Sequence, residues 1–226
     1  MPSKKRLRLI FGGSFDPIHE GHLAVIAHLQ QQCPDAVIHI MPNHHSPGKK
    51  IQLAASHRLE MIKGGLSTLP QLKVLIDKTE LQRPAPSYTI DTLKHLRSRY
   101  PTDTLAWVMG DDVVNTFHQH HWDGWQKLLS EGHLYIMMRS GLQMATDVQQ
   151  FIEPRVVPSA NDLFTTTMGS VAIDTTFTPV EISATDIRQQ LKIMPVESVS
   201  GLTLPSKKYI RTHQLYGCER FPNTPD

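Results

Sequence analysis

The stretch IFGGSFDPIHEGH, residues 10–22, follows an apolar run and combines paired glycines, an Asp-Pro step and two histidines. In open α/β sheets, the turn after the first strand presents backbone amides to a phosphate-bearing ligand. We predict that Gly12 and Gly13 form that turn, because glycine permits backbone conformations and close approaches that other residues do not. Asp16 before Pro17 predicts the start of a helix, because Pro is tolerated in a first turn and Asp accepts an unpaired N–H.

Short apolar runs rich in β-branched or aromatic residues recur along the chain and predict buried strands. They are LRLIF at 7–11, AVIHIM at 36–41, LKVLI at 72–76, LAWVM at 105–109, LYIMM at 134–138 and a run at 171–174. Stretches with helical spacing lie between them: HLAVIAHLQQ, SHRLEMIKGGL and TIDTLKHLRSRY. This alternation predicts an α/β fold, a single Rossmann-like domain whose parallel, twisted sheet has helices on both faces.

The pattern loosens between residues 140 and 170, where we predict a helix and a polar loop. It resumes with EISATDIRQQL, and LPSKKYIRTHQLY predicts a C-terminal helical extension that begins after Pro205. Since no shift in composition marks a linker, we expect residues 1–226 to form one domain. We expect residues 1–6 and 218–226 to be mobile tails.

Composition and charge exclude several classes of function. The 226 residues are 39% hydrophobic, enough for a sizeable core, and the net charge of +2 is spread along the chain rather than clustered for nucleic acid. The two cysteines lack metal-ligand spacing and indicate a reducing compartment. No apolar stretch approaches the ~20 residues of a membrane span. We expect a cytoplasmic protein that binds neither nucleic acid nor membrane, and its oligomeric state stays open.

The two histidines of the opening stretch stand three positions apart, so we expect both to project from one face of the first turn of the helix. Imidazoles at a helix start suit a polyphosphate whose charge grows on a bridging oxygen during transfer. The alternative is a surface His beside a capping His. A zinc site would need a third ligand, and the loops HHSPG and HQHHW offer histidines without supporting carboxylate or cysteine spacing.

Two motifs carry a resemblance to a known superfamily. HEGH at 19–22 and ISATDIR at 182–188 resemble the HxGH and ISxTxxR signatures of a nucleotidyltransferase superfamily, in the same order. Ser183 and Asp186 also fit a capping box, a structural reading that coexists with the functional one. The opening stretch is neither GxGxxG nor a P-loop, which disfavours a dinucleotide oxidoreductase or a P-loop kinase.

Within that superfamily the chain resembles the bacterial nicotinate-nucleotide adenylyltransferases over nearly its whole length. Residues 83–97 are similar to that family's PSYT segment, WVMGDD at 107–112 to its GxD turn, and MRSG at 138–141 to its RPG turn. The chain departs from the family at Ser140, which replaces a Pro, and at Gly48, near where a His often stands. The loop FHQHHWDGW is also longer than usual.

The resemblance implies transfer of AMP from ATP to nicotinate mononucleotide, with Mg²⁺ bound mainly through the ATP phosphates and no protein ligand assigned to the metal. It implies catalytic roles for His19, His22 and Arg188. It implies ATP binding by Gly12, Gly13, Ser14, Phe15, Lys49, Gly110, Asp112, Ser183 and Thr185, and acceptor binding by Ser87, Tyr88, Thr89, Trp122 and Arg139.

Some of these assignments have alternatives in the sequence. Asp112 would accept from the adenosine ribose or cap a helix, and Trp122 would stack on the pyridine ring or anchor the core, the reading we favour for Trp125. A pantetheine-phosphate adenylyltransferase would share the chemistry with another acceptor. A non-catalytic nucleotide-binding protein would keep the pocket without the reaction, and a metal-binding protein would need scattered histidines to converge.

Overall fold

Seven strands form one all-parallel sheet in the computed structural model, which describes residues 5–44, 51–117, 122, 124–138 and 144–220. The strands are β1 (Leu7–Gly13), β2 (Val37–Pro42), β3 (Val74–Ile76), β4 (Thr104–Gly110), β5 (His133–Met137), β6 (Val156–Val157) and β7 (Val171–Asp174). Their order is β3-β2-β1-β4-β5-β7-β6, and every pair of neighbours runs parallel. The predicted α/β fold with a parallel sheet is confirmed.

Helices separate the strands along the chain, as the sequence periodicity predicts. They are α1 (Glu20–Gln32), α2 (Ala55–Leu66), α3 (Thr89–Arg99), α4 (Asp111–Val114), α5 (Thr146–Ile152), α6 (Ala184–Gln190) and α7 (Leu204–Thr212). Short 3-10 helices lie at Glu80–Gln82, Trp125–Ser130, Glu153–Arg155, Ala160–Thr165, Val196–Ser198 and Leu215–Arg220. Within the described ranges, no helix has the length and apolar character that a membrane crossing requires.

The order in which the chain adds strands to the sheet reverses between β1 and β4. From β1 the chain adds β2 and β3 on one side, then returns to add β4 and β5 on the other. Ligands of open α/β sheets bind outside the carboxyl ends of the strands at such a switch point. Gly13 ends β1 and Gly110 ends β4, so the last residues of both strands lie at that edge.

The described chain divides into two compact units, each built from separate segments. One contains the whole sheet and comprises residues 1–13, 28–49 and 73–178. The other comprises residues 14–27, 50–72 and 179–226, and it holds α2, α6 and α7. The expectation of one domain with mobile tails stays a prediction.

The end of β1 differs from the prediction. Gly12 and Gly13 belong to the strand, where they pair with Met41 and Pro42, and neither has a positive φ. The turn therefore begins at Ser14. The two-residue strand β6 also lies where we predicted only a helix and a loop, because a run this short has no detectable period.

Close packing explains why position 12 is a glycine. A Cβ at Gly12 would lie 2.6 Å from Cζ2 of Trp107, closer than side chains tolerate. Trp107 belongs to β4 and is 7% exposed, and it joins Ile10, Leu93 and Leu134 in the core of this unit. The indole of β4 thus lies against the backbone at the carboxyl end of β1.

We expect Gly12→Ala to lower the free energy of unfolding by ~1–3 kcal/mol, the usual cost of an extra methyl group in a packed site. Urea denaturation of the purified protein measures this change. Trp107→Phe tests whether the contact with Trp107 causes this loss, because the smaller ring makes room for the methyl group. The double variant should lose less stability than the sum of the single variants, and additive losses would contradict the assigned contact.

Candidate active site

The turn between β1 and α1 is held by two guanidinium groups that donate to its backbone. Nη1 of Arg58 donates to the carbonyl of Ser14 at 2.6 Å, and Nη1 of Arg188 donates to the carbonyl of Asp16 at 2.7 Å. Phe15 lies between those carbonyls, 1% exposed, with a φ of 47°. A bulky residue rarely adopts this left-handed conformation. The sharp reversal of the chain therefore occurs at Phe15 and not at the glycines.

The side chain of Asp16 has a different role from the predicted one. It does not start the helix, because α1 begins at Glu20. Its carboxylate is 1% exposed and accepts from the Tyr216 hydroxyl at Oδ1 and from the Gln52 backbone N–H at Oδ2, both at 2.6 Å. The Asp-Pro step thus marks a buried hydrogen-bonding centre before the helix.

His19 and His22 lie together, with ring centroids 3.7 Å apart. His19 precedes α1 rather than lying within its first turn as predicted, and its backbone N–H donates to Nδ1 of His22 at 3.2 Å. Because Nδ1 accepts a hydrogen bond, the proton of a neutral His22 is on Nε2, which can donate. The predicted capping role and a donor role therefore coexist in one imidazole.

Burial makes His19 a neutral group. His19 is only 7% exposed, and this burial lowers the pKa of its imidazole to about 4. Its Nδ1 is buried and has no hydrogen-bond partner among the described residues. A Cβ at Gly21 would lie 3.1 Å from this ring, which explains the glycine of the HxGH signature. At neutral pH the ring can donate or accept a hydrogen bond but carries no charge.

The first backbone amide of α1 is already used within the protein. The N–H of Glu20 donates to the carbonyl of Gly201 at 2.8 Å. Gly201 has a φ of 78°, and a Cβ there would lie 2.7 Å from Cδ1 of Ile182. The His19 amide is also occupied, since it donates to Nδ1 of His22.

The ISATDIR motif caps and begins α6, as predicted. Oγ of Ser183 accepts from the Asp186 backbone at 3.1 Å and donates to the Asp186 carboxylate at 2.6 Å. Nη2 of Arg188 donates to Oγ1 of Thr185 at 3.1 Å. Nε of Arg188 is buried without a partner among the described residues. The guanidinium thus combines a structural contact with donors that a ligand can occupy.

In the sheet-containing unit, the segment before α3 forms its own hydrogen-bonded cluster. The Ser87 hydroxyl accepts from the His44 backbone at 3.2 Å and lies near the buried carboxyl of Glu80. Burial raises the pKa of Glu80, whereas Thr92 and Ser87 act to lower it. Thr92 donates to Oε1 of Glu80 at 2.8 Å. The Ser87 hydroxyl is therefore used internally, which the sequence did not indicate.

The other residues expected to bind the acceptor lie at the start of α3. Thr89 is its first residue, and Tyr88 occupies the N-cap position with a side chain that is 43% exposed. The backbone N–H groups of a first helical turn have no partner within the helix. This placement is compatible with the binding of an anionic group by amides.

Gly110 and Asp112 lie at the end of β4 and in the first turn of α4. Gly110, not Asp112, occupies the N-cap position, so the capping alternative for Asp112 is wrong. A Cβ at Gly110 would overlap Oδ1 of Asp112, so glycine makes room for that carboxylate. Asp112 is exposed, whereas Asp111 is fully buried. The Asp112 side chain is thus accessible, and its predicted contact with the ribose stays a prediction.

The two tryptophans after α4 have different surroundings. Trp125 is 7% exposed and stacks on Phe117 with ring centroids 4.7 Å apart, so it is a core residue as expected. Trp122 is only partly buried and lies 5.0 Å from the same ring. It contacts the core and keeps an accessible portion, which leaves its predicted stacking role open.

Some predicted positions are not described by the structure. Lys49, Arg139, Ser140 and Gly48 lie outside the described residues, and their assignments stay predictions. Within the described ranges, no group of three or more His, Cys, Asp or Glu side chains could hold a metal ion.

Sequence reasoning missed Arg58, Glu80 and Tyr216. Arg58 carried a detectable signal, because it is a charged residue within a helix of apolar spacing. It is 1% exposed in the structure, and a charged side chain is buried in this way only if it is paired. Glu80 and Tyr216 carried none, since their partners are fixed by tertiary structure. Through their hydrogen bonds, these residues stabilise the segments that contain predicted site residues.

Comparison with known proteins gives consistent results. A cytidylyltransferase-like family model matches residues 10–190. A relative from Idiomarina loihiensis, named as a probable nicotinate-nucleotide adenylyltransferase, is 34% identical and covers 93% of this chain and 99% of its own. A relative of the same name from Pectobacterium atrosepticum is 35% identical, with coverage of 96% and 100%.

A solved structure shows the same fold. The nicotinic acid mononucleotide adenylyltransferase of Plasmodium falciparum, complexed with NaAD, superimposes with a TM-score of 0.71 at 19% identity. It covers 93% of this chain and 97% of its own. The family model includes both motifs, and the relatives extend over most of the chain. The chain therefore belongs to the cytidylyltransferase-like family and, within it, to the nicotinate-nucleotide adenylyltransferases.

Proposed function

We propose that this protein transfers AMP from ATP to nicotinate mononucleotide, forming deamido-NAD and pyrophosphate. One observation carries the proposal: the second signature motif binds the turn that leads into the first, through the bond from Arg188 to the carbonyl of Asp16 at 2.7 Å. Residues far apart in the chain thereby place imidazole and guanidinium donors on one turn. The names of the relatives support the choice of reaction.

The reaction needs no covalent enzyme intermediate. A phosphate oxygen of nicotinate mononucleotide attacks the α-phosphorus of ATP in line, and the bond from that phosphorus to the bridging oxygen breaks. Pyrophosphate leaves with the electron pair of that bond. The contribution of the protein is positioning and stabilisation of charge on the phosphate oxygens.

The histidines and Arg188 would supply that stabilisation. His22 offers Nε2–H to the α-phosphate, since Nδ1 is occupied by the His19 backbone. His19 is uncharged and acts through a hydrogen bond. The remaining N–H groups of Arg188 suit the β- and γ-phosphates, with Thr185 beside it, because a guanidinium fork matches phosphate oxygens. Ser183 would first have to release Asp186.

The acceptor would be read by the segment before α3. Because the Ser87 hydroxyl already accepts from the His44 backbone, we assign carboxylate recognition to backbone amides of residues 87–89. Trp122 would stack on the pyridine ring through its accessible portion. The ribose of the adenosine would meet Asp112, and Lys49 and Arg139 would complete the phosphate contacts.

We also propose that Mg²⁺ enters with ATP. The described residues offer no cluster of three ligands, and Mg²⁺ commonly binds substrate phosphates with few protein ligands. The metal would add charge neutralisation on the phosphates. A cytoplasmic location is proposed because Cys33 and Cys218 are both free thiols.

Pyrophosphate release from ATP tests the proposal. The purified protein is assayed with nicotinate mononucleotide, nicotinamide mononucleotide and phosphopantetheine in turn, and the dinucleotide product is identified by mass. We expect deamido-NAD. Turnover only with phosphopantetheine would indicate the related adenylyltransferase, and binding of ATP without turnover would indicate a non-catalytic protein.

His22→Ala should lower kcat by ~10²-fold or more, the scale seen when a preorganised transition-state donor is removed. The KM for ATP should change little, because this donor acts mainly as charge develops on the leaving oxygen. Steady-state kinetics at saturating acceptor measure both constants. A change confined to KM would instead assign His22 to ground-state binding.

Arg188→Ala should reduce both ATP turnover and stability, because the guanidinium bonds to Asp16 as well as to the proposed phosphates. We expect kcat/KM for ATP to fall at least ~10-fold and the unfolding free energy to fall by ~1–3 kcal/mol. Arg188→Lys is the matched control, since an ammonium group can keep one bond but not a fork. An activity loss no larger than the unfolded fraction would make Arg188 structural only.

The acceptor site should prefer nicotinate over nicotinamide mononucleotide by at least ~10-fold in kcat/KM, which requires about 1.4 kcal/mol. Amide donors satisfy a carboxylate, whereas the N–H groups of a carboxamide would face donors and leave buried groups unpaired. Both acceptors are measured at matched ATP and Mg²⁺. Equal turnover, or preference for the amide, would show that residues 87–89 do not read the carboxylate.

A further inference from the structure

The C-terminal segment brings a tyrosine hydroxyl to the nucleotide-binding turn. We propose that Tyr216 is a positioning residue for the reaction, which fixes, through the Asp16 carboxylate, the turn that leads into His19 and His22. The inference rests on the proposed function only in taking this turn as the site of the ATP phosphates. Tyr216 does not need to touch a substrate.

The contact between Tyr216 and Asp16 is short and shielded from water. The phenol donates to Oδ1 of Asp16 at 2.6 Å, and the two residues are 7% and 1% exposed. Burial, and then the charge of Asp16, raise the pKa of Tyr216. The hydroxyl therefore keeps its proton and remains a donor. Bonds of this kind to a charged acceptor are stronger than neutral ones.

Backbone strain is present at both ends of this contact. Phe15, next to Asp16, has a φ of 47°, and Tyr216 has a φ of 61°. Left-handed backbone in a non-glycine residue costs free energy and persists only where surrounding contacts determine it. The backbone is strained at Tyr216 and at Phe15 in the turn. The hydrogen bond between the side chains of Tyr216 and Asp16 opposes relaxation of both positions.

The turn is fixed at four acceptor atoms. Arg58 and Arg188 bind the carbonyls of Ser14 and Asp16, while Gln52 and Tyr216 bind the two carboxylate oxygens of Asp16. Three of these donors belong to α2, α6 and the segment before α2. The fourth comes from the 3-10 segment Leu215–Arg220, which contains none of the predicted site residues.

Displacement of the turn would reach both imidazoles. Phe15 contacts His22 edge-on, with ring centroids 4.9 Å apart, and His22 accepts from the His19 backbone. Loss of the Tyr216 hydroxyl leaves Oδ1 of Asp16 without this donor in a buried site, so Asp16 and Phe15 are expected to shift. A misplacement of ~1 Å can cost ~10²-fold in rate.

Tyr216→Phe tests this role, because it removes the hydroxyl and keeps the ring. Tyr135→Phe is the matched control: Tyr135 is 2% exposed, and its hydroxyl donates to a buried carboxylate, Asp174, at 2.8 Å. Both variants lose one buried phenol–carboxylate bond, so both should lose thermal stability. Kinetics are measured well below the melting temperatures, with the folded fraction checked by circular dichroism.

We expect Tyr216→Phe to lower kcat/KM for ATP at least ~10-fold, with the KM for the acceptor within about twofold of the wild type. Tyr135→Phe should change neither constant by more than about twofold. Wild-type kinetics in folded Tyr216→Phe, or equal losses in both variants, would overturn the proposal. An inactive wild type would contradict the proposed function instead.

A second measurement uses the wild-type chain and needs no variant. Saturation with a non-hydrolysable ATP analogue should slow amide hydrogen exchange in Leu215–Arg220. Coupling between two sites is reciprocal, so phosphate binding that stabilises the turn also stabilises the contact of the turn with Tyr216. Exchange in Val156–Val157 serves as the reference. Unchanged exchange in Leu215–Arg220, with binding of the analogue confirmed by calorimetry, would overturn the coupling even if Tyr216→Phe did not fold.

Discussion

Hydrogen bonding of the backbone carbonyls between β1 and α1 is the constraint on which the candidate site depends. A turn this sharp places the carbonyls of Ser14 and Asp16 where they accept no backbone N–H of a helix or strand, and a buried carbonyl without a partner costs ~1–3 kcal/mol. Arg58 and Arg188 satisfy them. These guanidinium groups thus hold the turn that leads into the two imidazoles.

Several groups in this region have structural and chemical roles at once. Nδ1 of His22 caps the His19 amide, and this bond determines which ring nitrogen can donate to a ligand. The Ser183 hydroxyl caps α6 while belonging to a nucleotidyltransferase signature. A structural interpretation of such residues therefore does not argue against a functional one. Each internal bond limits which atoms remain for substrate.

The sequence was sufficient for the longer strands and helices and their alternation, although not for β6 or α4, because apolar periodicity and the two motifs are local signals. The run at 171–174 coincides with β7, and α3 begins at the Thr89 of the PSYT segment. Local signals could not show that Gly12 serves the packing of Trp107. They also could not show that the Asp16 carboxylate binds a tyrosine 200 positions away, since such contacts exist only after folding.

The family resemblance predicted the reaction more completely than it predicted the geometry of the site. It named Ser87 as an acceptor-binding residue, which stays a prediction, but it did not show that the Ser87 hydroxyl accepts from the His44 backbone. A motif records which residue type is required at a position but not which of its atoms meets the ligand. That distinction depends on burial and on competing partners.

The sheet ends on both sides in very short strands. β3 has three residues and β6 has two, whereas β1 and β4 at the centre have seven each. An outer strand exposes unpaired N–H and C=O groups that invite pairing with another chain, and short edges limit such growth. Self-association by continuation of the β-sheet is therefore disfavoured, and any contact between copies would have to use side-chain surfaces.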